Sequence, residues 1–247
     1  QAVLDGDGKI LLNGRISEVN DGYSFIKDIT SFYGAGFSSG WRGFQLKINP
    51  SDGEVEKAYT TGSYNSGGEL IASDQSRNIV YVGGYTFGSV NGVSTIGNGD
   101  PAGANKYLIA RDETTESVLW TRMENWIRSN VVAQESENAI YFVDKGVLEK
   151  VEAVSGKTLW TKNVDNTDYL LSSIEGGGIL LTNRKSTGTL TIRRIDSDGQ
   201  ERESQNIEHT GELYPRSIIE KGDGVLVVAG NTTGLISITD DISVRTG

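Results

Sequence analysis

The chain has 247 residues, no cysteine, a single histidine (His209) and a formal net charge of −10. Without cysteine there is no disulfide, zinc–thiolate site or cysteine nucleophile, and one histidine excludes paired-histidine metal sites and sends any Ser-His-Asp triad through His209. Acidic residues spread along the whole chain disfavour nucleic acid and anionic membranes, and no apolar run approaches the roughly 18 residues of a membrane-spanning helix.

The start at Gln1, without an initiator methionine or a signal-like apolar stretch, is read as a processed chain or a boundary in a longer one. Period-2 alternation runs throughout, and amphipathic helical patterning is nearly absent. From the N-terminus, Val3–Leu12 with its Asp5-Gly6-Asp7-Gly8 turn reads as a C–D hairpin. Two elements then alternate. The first is a strand, an Asp/Gly-containing turn and a strand. It occurs at Phe44–Val55, Tyr107–Thr121, Leu148–Thr161 and Leu190–Gly199, the last three about 41 residues apart. The second is a strand, a polar turn and a very apolar strand. It occurs at Glu69–Gly84, Val131–Val143, Tyr169–Thr182 and Ser217–Gly230, with a looser copy over Tyr23–Phe37.

One copy of each element makes four short strands, A to D, with B the most apolar. Asp-Gly or Ser-Gly in the C–D turn supplies the left-handed residue of a tight hairpin. Four-stranded sheets recurring at about 40–50 residues predict an all-β fold, a β-propeller of four-stranded blades. Five B strands predict five blades, with six as the alternative. The approximate repeats are 22–63, 64–125, 126–165, 166–208 and 209–247, in one domain spanning 1–247. Residues 1–21 are expected to close the ring, with Ile10–Leu12 as the missing outer strand of the last blade. Trp120 and Trp160 occupy equivalent D-strand positions and read as inter-blade packing rings.

The stretch Val80–Gly92, followed by Leu108 and Val118-Leu119-Trp120-Thr121, resembles the seven-bladed-beta-propeller short repeat of large secreted bacterial and algal proteins. Arg111-Asp112 stands where that repeat has a Lys-x-Asp strand end. Ala153–Trp160 is similar to the repeat of quinoprotein-like (PQQ-like) propellers. Both are structural signatures and imply fold rather than activity. Quinoprotein dehydrogenases add a cysteine pair, calcium ligands and more blades, so the resemblance implies no quinone cofactor here; its non-enzymatic relatives are assembly scaffolds.

In a propeller the B–C and D–A connections share one face, and loops on a rigid ring carry binding residues. Trp41 and Arg42 in a glycine-rich loop, Tyr64 in a D–A loop, Tyr85, Asn98 and Asp100 around the long 86–105 connection, and Trp126 are the candidate ligand residues. Aromatic faces with amide, carboxylate and guanidinium groups suit a glycan or a protein partner. The expected function is a non-catalytic binding or scaffold propeller, outside the cell or in a periplasm-like space. One alternative is a carbohydrate-active hydrolase or lyase using acids such as Glu69, Asp74, Glu124, Asp168 or Glu175. Another is a structural segment of a larger surface protein. No cofactor is expected; calcium at Asp5/Asp7, Asp196/Asp198 or Asp223 is the weaker reading, because no EF-hand spacing follows.

Overall fold

The computed structural model describes residues 1–17, 41–61, 67–86, 105–124, 127–165, 167–221 and 225–235. They form seventeen strands in four antiparallel sheets, each an open run of sequential neighbours. The first sheet is β1 (Ala2–Leu4), β2 (Ile10–Ser17), β3 (Trp41–Ile48) and β4 (Val55–Thr61). The second is β5 (Gly67–Asp74), β6 (Ile79–Thr86), β7 (Asn105–Asp112) and β8 (Val118–Glu124). The third is β9 (Val132–Gln134), β10 (Ala139–Asp144), β11 (Val147–Glu152) and β12 (Thr158–Asn163). The fourth has five strands, β13 (Tyr169–Ser173), β14 (Ile179–Asn183), β15 (Ser186–Ile195), β16 (Glu201–Glu220) and β17 (Leu226–Thr232). The chain divides into two compact units. The first is Gln1–Ile127 with the Glu152–Lys157 turn; the second is Arg128–Val151 with Thr158–Gly247.

Why these segments are strands follows from their sequences. The B-position strands β6 (Ile-Val-Tyr-Val-Gly-Gly) and β10 (Ala-Ile-Tyr-Phe-Val) are continuous apolar runs, as a strand covered on both faces requires, and every residue in those runs is buried. Tyr81, Tyr107, Tyr141 and Tyr169 are fully buried, and a side chain of that class contributes about 1.5–3 kcal/mol on leaving water. The C–D hairpins turn through Gly53, Gly156 and Gly199, all at positive φ (71–80°), so the turn reading of Asp-Gly and Ser-Gly holds in the backbone.

Two expectations are corrected. The Val3–Leu12 hairpin is the β1–β2 pair that opens the first sheet rather than a C–D pair, and Ile10–Leu12 do not complete a last blade. They sit in β2, paired with β1 and β3, because Leu11 is fully buried with Ile71, Val80 and Val82 of the second sheet. No strand joins the two termini among the described residues. The boundary between Glu208 and His209 falls inside β16, where its pairing passes from β15 towards β17. Three β16 residues, 209–211, bulge opposite Gly188, between the pairs Thr187–Glu212 and Thr189–Glu208. The bulge and a second register shift at Pro215 let β16 leave β15 and pair onward with β17. The looser copy at Tyr23–Phe37 lies outside the described residues.

At their turn ends the sheets are tied by a repeated polar device. Trp120 donates its indole N–H to the Ala153 carbonyl at 2.9 Å, with Tyr81 beside it at 6.0 Å between centroids. Trp160 does the same to Ser197 at 2.8 Å, beside Tyr141 at 5.7 Å. A Cβ on Gly156 would lie 2.8 Å from the Trp120 ring, and one on Gly199 3.3 Å from Trp160, so a glycine seats each indole. A buried C-strand lysine repeats too. Lys47 pairs with Asp5 at 2.7 Å and Glu113 at 3.7 Å; Lys150 pairs with Glu137 at 2.5 Å and donates to the Ser197 carbonyl.

Candidate functional site

Each sheet has a turn end and a loop end, and the chemistry differs between them. At the turn end, acids are consumed locally. Asp5 accepts from the Asp7 and Lys9 N–H groups through Oδ1 and faces Lys47 through Oδ2. Asp196 caps Asp198 and Gln200 and binds Arg202. These carboxylates are hairpin caps, and the Gly222–Gly224 stretch lies outside the described residues. Asp74, 1% exposed, accepts from Ser76 and from Arg77. Glu137 is held by Lys150, the Tyr141 hydroxyl and the Gly178 N–H. Burial alone would raise its pKa, but those three bonds outweigh it and leave Glu137 below its ordinary value. Burial, then the bond to Glu137, pushes the Tyr141 hydroxyl far above the usual range.

The loop end of the first unit gathers a different set. Tyr85, near the end of β6, is paired in register with Gly67 and Lys106. Its ring lies against Gly67, where a Cβ would press on the Tyr85 ring unless the tyrosine shifted. The Lys106 ammonium sits 5.5 Å from the ring centroid and bridges to Glu69. The Arg15 guanidinium reaches the Tyr85 hydroxyl at 3.5 Å. On β8, Glu124 lies opposite Lys106 and pairs with Arg122 at 2.6 Å. The connections that leave this end are 18–40 and 87–104, joining B to C strands, and 62–66, joining β4 to β5. Among the described residues, the B–C connections of the second unit are Lys145-Gly146, both at positive φ, and Arg184-Lys185.

Of the candidate ligand residues, Tyr85 is in this set. Trp41 and Arg42 open β3 at the same end, in register with Ser17 and Ile16; their side chains lie outside the described residues. Tyr64, Asn98, Asp100 and Trp126 also lie outside them. Arg15 and Lys106 were not among the sequence candidates. The signal that marks them is a cation beside the loop-facing end of a B or C strand, the same places as Tyr85 and Trp41.

Four of the candidate acids, Glu69, Asp74, Glu124 and Asp168, are each held in a local ion pair. Glu69 and Glu124 are at the loop end of the first unit, each in an ion pair, whereas Asp74 and Glu175 flank turn-end hairpins. Asp168 pairs with Arg128 at 3.4 Å. His209 contacts the Ser186 hydroxyl at 2.7 Å through Nε2, and its Nδ1 has no hydrogen-bond partner among the described residues, so the carboxylate member of a triad is missing.

No family model matches the chain, and no curated protein matches it. Among solved structures, hydrazine synthase from Kuenenia stuttgartiensis is similar at a TM-score of 0.54 and 10% identity, over 78% of this chain and 52% of that one. BamB from Moraxella catarrhalis gives 0.39 and 14%, over 75% and 66%. Glutaminyl cyclase from Myxococcus xanthus gives 0.42 and 13%, over 81% and 88%. The chain thus spans about half of the hydrazine synthase chain. At such identity the likeness is one of fold, and TM-scores below 0.5 add nothing to it.

Proposed function

We propose that the chain is a non-catalytic, propeller-type binding module that takes a glycan at the loop end of its first unit. The observation that carries this is the concentration of the long B–C connections there, beside Arg15, Tyr85, Lys106 and Glu69. Loops of varied length on rigid strands are where recognition resides. Guanidinium, ammonium, phenol and carboxylate groups on one rim match the hydroxyls of a sugar. Trp41, Arg42, Tyr64, Asn98, Asp100 and Trp126 belong to the same proposed rim. The repeat type is that of the short propeller repeats it resembles, with β16 and β17 opening a fifth blade, and the setting is extracellular or periplasmic. Ion pairing of Glu69 and Glu124 does not favour the hydrolase reading, which needs a carboxyl kept protonated.

The test is a glycan-array screen of the purified protein with a check for product release. Saturable binding without turnover, lowered by Arg15→Ala with Tyr85→Ala, is the expected result. Product release would replace the reading by the hydrolase one. No glycan bound would shift the rim to a protein partner.

A further inference from the structure

Arginines gather at the loop end of the second unit, around the start of β13. The Tyr169 N–H donates to the Arg128 carbonyl at 2.6 Å, and the Arg184 N–H to the Asp168 carbonyl at 2.8 Å. Arg184 stands in the two-residue connection from β14 to β15 and donates its Nε–H to the Tyr169 carbonyl at 2.8 Å. Tyr169 is fully buried, so the half-buried guanidinium is fixed on a rigid strand. Among the described residues Arg184 has no ion pair. Asp168 beside it pairs with Arg128 at 3.4 Å, and Lys185, next in the chain, pairs with Glu212.

Arg216 reaches the same place from β16. It is the extra residue between the pairs Pro215–Gly230 and Ser217–Ala229, and such a bulge re-aims its side chain. That side chain is exposed and, among the described residues, makes no ion pair. β13 and β16 pack on each other through Leu170, Leu213 and Ile218. The Arg216 charge therefore acts on Arg184: burial, joined by that like charge and opposed by Asp168, holds the Arg184 guanidinium below its ordinary pKa. A guanidinium nonetheless stays charged at any ordinary pH, so a half-buried one beside a second needs a counter-charge.

We propose that Arg184 and Arg216 form an oxyanion-binding site that takes one carboxylate, sulfate or phosphate group of a small ligand. With Nε engaged, the Nη1–Nη2 edge of Arg184 is left for two parallel bonds to two oxygens of one group. Arg216, on its exposed stem, supplies the second charge. Asp168 tempers the site, because its carboxylate repels an incoming anion as it holds Arg128. The net charge of −10 disfavours a long polyanion such as nucleic acid and restricts the ligand to a small one. The site lies in the other unit from the glycan rim and does not rest on that reading.

The test is a nuclear magnetic resonance titration of the full, isotope-labelled chain with sulfate, inorganic phosphate and acetate, the ionic strength being held constant with chloride. Saturable shifts of the Arg184 and Arg216 signals are expected, and the anion that saturates lowest tells a tetrahedral group from a carboxylate. Arg216→Ala, on an exposed side chain, keeps the native circular dichroism and weakens binding about tenfold. Arg184→Lys keeps the charge, loses the fork and weakens binding by a similar factor. Asp168→Asn removes the repelling carboxylate and tightens binding severalfold. Shifts that do not saturate in the wild type, or that are equal in Arg216→Ala, overturn the proposal. Saturation that appears only when Asp223, Asp240 and Asp241 are replaced by Asn also overturns it, in favour of the chain's own acids as the occupant.

Discussion

The two units repeat one scaffold and differ in what leaves it. Trp120 and Trp160 make the same bond to the same kind of turn, and Lys47 and Lys150 each pair with an acid in the turn between the first two strands of their own sheet. Yet the second unit joins B to C strands through Lys145-Gly146 and Arg184-Lys185, while the first inserts 18–40 and 87–104. Turn-end residues are fixed by stability, because each closes a hydrogen bond that burial makes obligatory. Loop-end length is not constrained in that way, so the long connections of the first unit are compatible with the recognition role proposed for them.

The comparison breaks first if the turn-end device is not structural. Trp160→Ala removes a ring packed between Tyr141 and Gly199 and leaves the Ser197 carbonyl with one donor fewer. We expect a loss of about 3 kcal/mol in urea unfolding, with Trp120→Ala close behind. A loss below about 1 kcal/mol for both would remove the device from the account.

These parts differed in how legible they were. The C–D turns and the two tryptophans could be read because glycine at positive φ and an aromatic at a fixed offset are local signals. The placement of Ile10–Leu12 could not, since their alternation suits any apolar sheet and Leu11 finds its partners about sixty to seventy residues away, at Ile71, Val80 and Val82. Glu208-His209-Thr210-Gly211 has the composition of a strand end. A bulge at Gly211, φ 74°, carries β16 through it, and the Ser186–His209 bond spans the two strands there. Arg15 and Lys106 resemble solvated surface cations until the fold sets them around Tyr85.

Next in size is Glu137→Gln, which leaves Lys150 buried without its counter-charge and is expected to cost about 2 kcal/mol at neutral pH. Because the folded pKa of Glu137 lies below its ordinary value of 4.5, the stability it contributes is present above that value and is lost as pH falls through the lowered one. The gap in melting temperature between wild type and Glu137→Gln should therefore be level above about pH 5 and close on further acidification. A gap that persists unchanged into strong acid would deny the charged pairing its role.

Smaller again is Asn130→Ala. Asn130 bonds both the N–H and the carbonyl of Leu171, at 2.8 and 2.9 Å, and Asn13 similarly donates to the Leu70 and Gly83 carbonyls. Each substitution should cost about 1–2 kcal/mol, one in each unit, read by thermal or urea unfolding. A large asymmetry between them would mean that the two units are not held alike.

The smallest expected stability effect is at the loop end, and there the account is most exposed. Arg15→Ala with Tyr85→Ala should change unfolding free energy by less than about 1 kcal/mol. The decisive measurement is a titration of the best array glycan against this double variant and against Trp160→Phe. The account predicts an affinity loss of about tenfold or more for the loop-end variant, with its stability kept, and little change for the turn-end one. Unchanged affinity in the loop-end variant, or a loss confined to the turn-end variant, would contradict it.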